Sequence, residues 1–340
     1  MTGFALWQLV VVFVVSGALL TRAAVGLARN ASEIVARTSL SALFVGMVLM
    51  AFATSLPELV ADVTASLEGA PDLAVGDLFG SSMANMAILA VIDMTRRGGM
   101  WPAVELGHAR VAAMAIGLTT LALLGILAAP VPALGWVGAD TVLIAIAYVA
   151  ALAWFRRSPV SPRERTALGP LVAGRATDVD GGSAGVRRVF LRFAGAAVAI
   201  LVTAPVVASA AVEITHQSGI SETFFGATLL AVTTSLPELI ASLAAARMGQ
   251  QDLALGNLFG SNAANMSVLV FADIAYTPGP ILGAVDPGQA IAGLGAILLM
   301  VIALAAIVHG AETRIARLEP DAMLLLGAYG AMLVLVALRS

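Results

Sequence analysis

The 340-residue chain has no cysteine, which excludes a disulfide framework, a thiolate metal site and a cysteine nucleophile. It has no lysine either: all 18 of its basic residues are arginine. Charge of both signs is scarce, at 11% of residues against about a quarter in an ordinary soluble domain. The three histidines, His108, His216 and His309, are scattered without ligand spacing, so a histidine metal centre is not expected. No nucleotide-binding loop, nucleophile triad or HExxH pattern appears, and enzyme function is poorly supported. What fills the chain is apolar: 60% hydrophobic residues and a mean hydropathy of +0.97. This is the composition of a polytopic membrane protein with no long soluble domain.

A membrane span needs about 20 apolar residues. The hydropathy pattern predicts ten, at 4–28, 39–66, 72–93, 106–128, 135–155, 188–212, 221–246, 252–274, 287–309 and 319–338. The first run is too long for a signal-peptide core and lacks a charged leader, so it reads as a retained span. Connections are short except at 156–187, a segment rich in Arg, Pro, Gly and Ser that reads as a flexible linker. Its Asp178-Val179-Asp180-Gly181 is only a fragment of a calcium loop.

The arginines set orientation. Arg29, Arg37, Arg96, Arg97, Arg247, Arg314 and Arg317, with eight more from Arg156 to Arg192, fall on one side of a ten-span arrangement. Arg339 alone falls on the other, and Arg22 and Arg110 can snorkel toward the rich side. The positive-inside rule then places the linker in the cytoplasm and both termini outside, in a cell (inner or plasma) membrane.

Against this apolar background the pentapeptide Thr54-Ser55-Leu56-Pro57-Glu58 stands out, and the same five residues recur at 234–238. Intramembrane carboxylates are rare and face a partner or a water-filled cavity. Proline removes a helix N–H and crowds the carbonyl four residues back, here those of Ala53 and Thr233. Thr54 and Ser55 share a helical surface with Glu58. Hydroxyls, loosened carbonyls and a carboxylate at membrane depth suit a hard cation, since Ca²⁺ takes oxygen ligands. The plainer account is a proline kink whose hydroxyls bond back to their own helix; the recurrence of the glutamate weighs against it.

The recurrence is part of a longer repeat. Residues 46–93 and 226–273 align without gaps at an offset of 180, with 25 identities in 48 positions. With five spans per half the two copies must be oppositely oriented, and inverted repeats with interrupted helices are a transporter signature. The domain plan is therefore 1–155, the linker 156–187, and 188–340. A second repeated piece runs Gly76-Asp77-Leu78-Phe79-Gly80-Ser81-Ser82-Met83-Ala84-Asn85, with Gly256 to Asn265 as its mate. Gly76, Gly80 and Ala84 form a small-residue face for close helix approach, while Ser81 and Asn85 offer polar groups on an adjacent face.

Other acids are weaker candidates. Asp62 follows Glu58 by one turn but matches Ser242; it is expected at the interface, with a proton or ion relay as the alternative. Asp93 and Asp273 are likewise expected there. Asp72 and Asp252 open spans, where helix-capping and dipole roles suffice. Glu33 and Glu213 match each other near connections.

Two inverted halves carrying TSLPEL and a GNxxGSNxxN-like segment resemble the α-repeats of the calcium/cation antiporter superfamily, and most of all its prokaryotic sodium/calcium exchangers. The resemblance covers nearly the whole chain. It implies an all-α polytopic membrane protein of ten transmembrane helices in two inverted five-helix repeats, working by alternating access, with spans 1 and 6 sliding over the remainder. It implies Ca²⁺ bound by Glu58 and Glu238 with Thr54 and Thr234 backbone oxygens. Sodium sites fall on Ala51, Ser55 and Ser81 and on Ala231, Ser235 and Ser261; Asn85 takes the place of the central asparagine and Asn265 that of a common aspartate. Asp77 replaces the usual Asn that Asn257 retains.

Ca²⁺ and Na⁺ are thus the expected cargo, with no organic cofactor, no nucleic acid and no obligate protein partner. The expected activity is Ca²⁺ export against Na⁺. Proton/Ca²⁺ antiport is the alternative, favoured by the missing acid at Asn265 and opposed by the retained hydroxyls. A cation channel or a non-transporting scaffold is less well matched, because polarity is confined to the middle of four spans.

Overall fold

The computed structural model describes residues 3–37, 54–95, 107–128, 130, 132–157, 183–247, 251–309 and 320–339. Apart from one short hairpin, the regular structure among these residues is helical. In chain order the elements begin with α1 (Leu6–Arg37), α2 (Leu56–Leu67), α3 (Pro71–Thr95) and α4 (Gly107–Leu127). The hairpin β1 (Ala133–Leu134) and β2 (Val137–Gly138) precedes α5 (Ala139–Arg157) and α6 (Ser183–Ser218). Next come α7 (Glu222–Thr234), α8 (Leu236–Arg247), α9 (Gln251–Ala275), α10 (Ile281–Ala284), α11 (Gln289–His309) and α12 (Pro320–Arg339). Seven of these helices are long and apolar enough to cross a bilayer, and the bent pair α7–α8 makes an eighth. The 21 residues of α11 rise roughly 31 Å at 1.5 Å each, close to the thickness of a hydrocarbon core.

One expected span comes out differently. Span 135–155 starts late, because residues 133–138 form the hairpin and the helix opens only at Ala139, leaving a shorter apolar helix. Of span 39–66, only the part from Thr54 onward lies within the described residues, as does only the end of the linker from Ser183.

Depth in the bundle follows the side chains. α3 carries apolar, small and a few polar residues, and 89% of its spanning window is buried; only 22% of the α12 window is. Trp7, Val14, Leu143, Val202, Val334 and Leu338 point outward, each more than half exposed, as lipid-facing residues do. The apolar interior divides into two clusters. The larger joins α3, α4, α9, α11 and α12 through Phe79, Met83, Phe259, Leu269, Leu299 and Leu325. The smaller clasps α1 and α6 together through Leu9, Leu20, Leu27, Ile200, Val207 and Ala211, touching the ends of α2 and α3.

The α3 glycines allow close contact. A Cβ on Gly80 would lie 2.5 Å from Ala227 Cα and 2.6 Å from its carbonyl oxygen; one on Gly226 would lie 2.5 Å from Leu73 O. Gly226 opens a π-helical turn, Gly226–Leu230, a distortion often found beside functional sites. The expected small-residue face is real, and it seats α7.

Several acids expected at the interface are buried. Asp273 is fully buried and accepts from Gly138 N (2.7 Å), Ile281 N (2.7 Å) and Thr141 Oγ1 (2.5 Å), tying the hairpin and α10 to the end of α9. Asp93 is also fully buried. Asp72 stands in the first turn of α3, where it accepts from Asp286 N (2.8 Å) and Gln289 Nε2 (3.3 Å). It fastens the start of α11 instead of merely capping its own helix. Asp273 and Asp72 satisfy loop N–H groups that would otherwise be orphaned.

Candidate functional site

In both pentapeptides a helix begins just after the serine, and in the second a preceding helix ends there. Ser55 has φ −85° and ψ 4°, and Ser235 has φ −85° and ψ 1°. The segments α7 and α8 meet at 45° there. A helix opens immediately after each serine, which puts Pro57 and Pro237 in a first turn, where a missing N–H has no intrahelical partner to lose. The chain therefore contains an interruption rather than the mid-helix kink that proline alone suggests. Glu58 and Glu238 follow in the same first turns, where the helix dipole favours negative charge.

Hydroxyl bonding separates structural from site residues. Ser16, Thr21, Thr64, Thr119, Thr203 and Thr233 donate to carbonyls three or four residues back in their own helices, as membrane hydroxyls commonly do. The repeated threonines reach across instead. Thr54 Oγ1 lies 3.3 Å from Ser261 Oγ and donates to Asn257 Oδ1 at 3.4 Å. Thr234 Oγ1 lies 3.3 Å from Ser81 Oγ and donates to Asp77 Oδ1 at 3.1 Å, while also reaching Leu230 O and Ala231 O. Each pair mirrors the other under the 180-residue offset. Ser261 Oγ also approaches Glu238 Oε1 at 3.5 Å.

Among the residues named from the sequence, the structure brings Thr54 to Ser261, Thr234 to Ser81 and Ser261 to Glu238. Thr54, Glu58, Ser81, Asn85, Ala231, Thr234, Glu238, Ser261 and Asn265 are fully buried, and Ser55 and Ser235 nearly so; Ala51 lies outside the described residues. Glu58 and Glu238 are near enough for their charges to act directly on one another. Both oxygens of Glu58, Oε2 of Glu238, the Ser55 and Ser235 hydroxyls and both polar atoms of Asn265 have no hydrogen-bond partner. An unsatisfied buried polar group costs about 1–3 kcal/mol, and buried charge more. Several buried oxygens on or near the two carboxylates in sequence are thus left without partners. Among the described residues, no three His, Cys, Asp or Glu side chains converge as metal ligands.

Four participants were missed in the sequence. Asn257 takes the Thr54 bond and donates to Ser242 Oγ at 3.0 Å. Asn262 accepts from Asn85 Nδ2 at 2.8 Å and donates to the Ser82 carbonyl at 3.2 Å, pinning α9 to α3. Asp77 takes the Thr234 bond. Asp62, expected at the interface, is fully buried, with its charge acting on Asp77 and Glu58. The repeat alignment was the available signal, because Asp77 and Asn257 occupy one position in it.

Paired, broken helices that carry buried carboxylates inside a membrane bundle define an ion transporter. The chain belongs to the sodium/calcium exchanger protein family, whose model matches residues 8–156 and 188–338. A protein named as an antiporter, CaxA, from Alkalimonas amylolytica is 29% identical over 297 residues, covering 85% of this chain and 87% of its own. Among solved structures, the sodium-calcium exchanger NCX_Mj matches with TM-score 0.63 at 20% identity, covering 97% of this chain and 99% of that one. The H⁺/Ca²⁺ exchanger CAX matches with TM-score 0.69 at 14% identity, covering 97% and 86%. At such identities the likeness is one of fold, and it is shared by a sodium-coupled and a proton-coupled protein.

Proposed function

We propose that this protein is a secondary antiporter that exports Ca²⁺ in exchange for Na⁺ by alternating access. The observation that carries the reading is the pair Glu58 and Glu238. Each sits in the first turn after a break at serine, fully buried, and three of their four oxygens are unpartnered. Two carboxylates carry −2 when ionised, which balances one Ca²⁺. Thr54, Thr234 and the neighbouring serines and asparagines supply the neutral oxygens, and Ala51 and Ala231 contribute carbonyls to flanking Na⁺ positions. The protein transports rather than catalyses; its ions are cargo, no organic cofactor is required, and one chain suffices.

Ten spans in two inverted halves, 1–155 and 188–340, joined by the linker 156–187, complete the proposal. The mirrored Thr54–Ser261 and Thr234–Ser81 contacts support a two-fold relation between the halves. The separate apolar cluster of α1 and α6 supports their movement as a unit over the remainder. The arginine distribution supports a cytoplasmic linker, outward termini and a place in the cell membrane.

Proton coupling is the second reading, and Asn265 favours it: an amide at this position leaves the site without a third acid. Radioactive Ca²⁺ uptake into proteoliposomes, driven in parallel by outward Na⁺ and outward H⁺ gradients, tests both. Uptake with Na⁺ alone, abolished by Glu58→Gln, is the expected result. Uptake with H⁺ alone replaces the first reading by the second, and uptake with neither overturns both.

A further inference from the structure

The two halves differ at one pair of positions beside the glutamates. In the second half, Ser242 and Asn257 form a neutral contact, with Asn257 Nδ2 donating to Ser242 Oγ at 3.0 Å. Their mates in the first half are Asp62 and Asp77. Both are fully buried, their charges interact, and three of the four carboxylate oxygens have no hydrogen-bond partner; the fourth, Asp77 Oδ1, accepts from Thr234. Where one half closes a neutral hydrogen bond, the other sets two carboxyl groups within reach of each other.

Two further groups open toward this pair. Glu58, fully buried with both oxygens unpartnered, acts electrostatically on Asp62 and Asp77. Ser66, one turn beyond Asp62 on the same face of α2 and 2% exposed, also leaves its hydroxyl unbonded, whereas nearby Thr64 donates back to Val60 O. Helix rise locates the pair. Asp62 lies one turn past Glu58 along α2, and on α3 Asp77 lies between Ser81 and Asp72. Asp72 lines an open cleft of about 360 Å³ with Ser221, Glu222, Thr223 and Asp286. Acids therefore run inward from this acidic mouth, through Asp62 and Asp77, to Glu58 and Glu238.

We propose that Asp62 and Asp77 form a second binding site for a hard divalent cation, on the mouth side of the glutamate pair. Two carboxylates balance its charge, and the Thr234 and Ser66 hydroxyls are at hand as neutral oxygen ligands. Only the site's place on a transport route rests on the proposed exchange function; binding itself does not. Because the matching positions in the other half are neutral, the site exists on one side of the exchange centre only, and cations entering from that side are concentrated before they reach it.

Equilibrium binding of Ca²⁺ to the purified full-length protein in detergent, without Na⁺, tests this. The expected result is two ions per chain for the wild type, one for Asp62→Ser/Asp77→Asn, and one for Glu58→Gln/Glu238→Gln. The first double variant recreates the Ser–Asn pair that the second half already accommodates. Unchanged stoichiometry in it overturns the proposal. So does complete loss of binding in the glutamate variant, a result that holds even if the aspartate variant misfolds. A glutamate variant that retains every wild-type ion, beside an aspartate variant that loses all of them, upholds this site and overturns the exchange-site reading. A wild type that binds no Ca²⁺ overturns both.

Discussion

The two copies of the repeat are alike in backbone and unlike in charge. Ser55 and Ser235 break their helices at dihedrals that agree within a few degrees, and Thr54 and Thr234 cross to Ser261 and Ser81 at the same 3.3 Å. Yet the first copy holds Glu58, Asp62 and Asp77, where the second holds Glu238, Ser242 and Asn257. The comparison teaches that the repeat preserves the scaffold that interrupts and clamps the helices, while charge is distributed over it unevenly. A transporter whose two faces meet different ionic conditions has use for such an asymmetry.

The sharpest way to break the comparison is at the residues the copies share. Glu58→Gln and Glu238→Gln each keep the shape and remove one charge. Residues that merely orient a metal ligand cost about 10–100-fold when mutated, so each substitution is expected to lower Ca²⁺ uptake by at least about 100-fold. Uptake by the protein in proteoliposomes measures it. A large loss at one glutamate only would mean that the copies do not contribute equally.

The next effect is on folding. Gly80→Ala places a methyl group 2.5 Å from the Ala227 backbone, and overpacking of this kind costs about 1–3 kcal/mol. A clear drop in melting temperature in detergent is expected. Gly117→Ala, at a position with no atom within 4 Å of the added methyl, should leave stability unchanged. Equal behaviour of the two variants would show that α3 and α7 are not clamped together at this contact.

Much of this was legible in the sequence, for identifiable reasons. An exact pentapeptide in an apolar run exposes its oxygens to notice because nothing else there is polar. Gly76 and Gly80 announce a close approach because small residues serve little else in a membrane helix. The break at Ser55 and Ser235 was not legible as such: proline marks a helix start and a helix kink with the same letter. Asp62 stays open between an interfacial and a relay role in the sequence because a carboxylate near a helix end fits both; its burial beside Asp77 appears only in the structure. The partners of Asp273 were not legible either, since the N–H groups it satisfies belong to Gly138 and Ile281, and Gly138 is far from it along the chain.

The smallest expected change sharpens the contrast at a position where the copies carry the same residue in different settings. Asn85 donates to Asn262 at 2.8 Å, whereas Asn265 has no partner for either polar atom. Asn265→Asp therefore breaks no hydrogen bond, and raises the charge of the glutamate site from −2 to −3 when ionised. Opposite charges about 4 Å apart attract by roughly 4 kcal/mol at an effective dielectric of 20, and desolvation offsets much of that. A several-fold fall in the Na⁺ concentration needed for half-maximal Ca²⁺ exchange is the expected outcome. The same change at Asn85 severs a clamp between α3 and α9, and should weaken the fold before it tunes affinity. If Asn265→Asp leaves the Na⁺ dependence unchanged, the amide does not face the ions, and the imbalance between the halves resides in Asp62 and Asp77 alone.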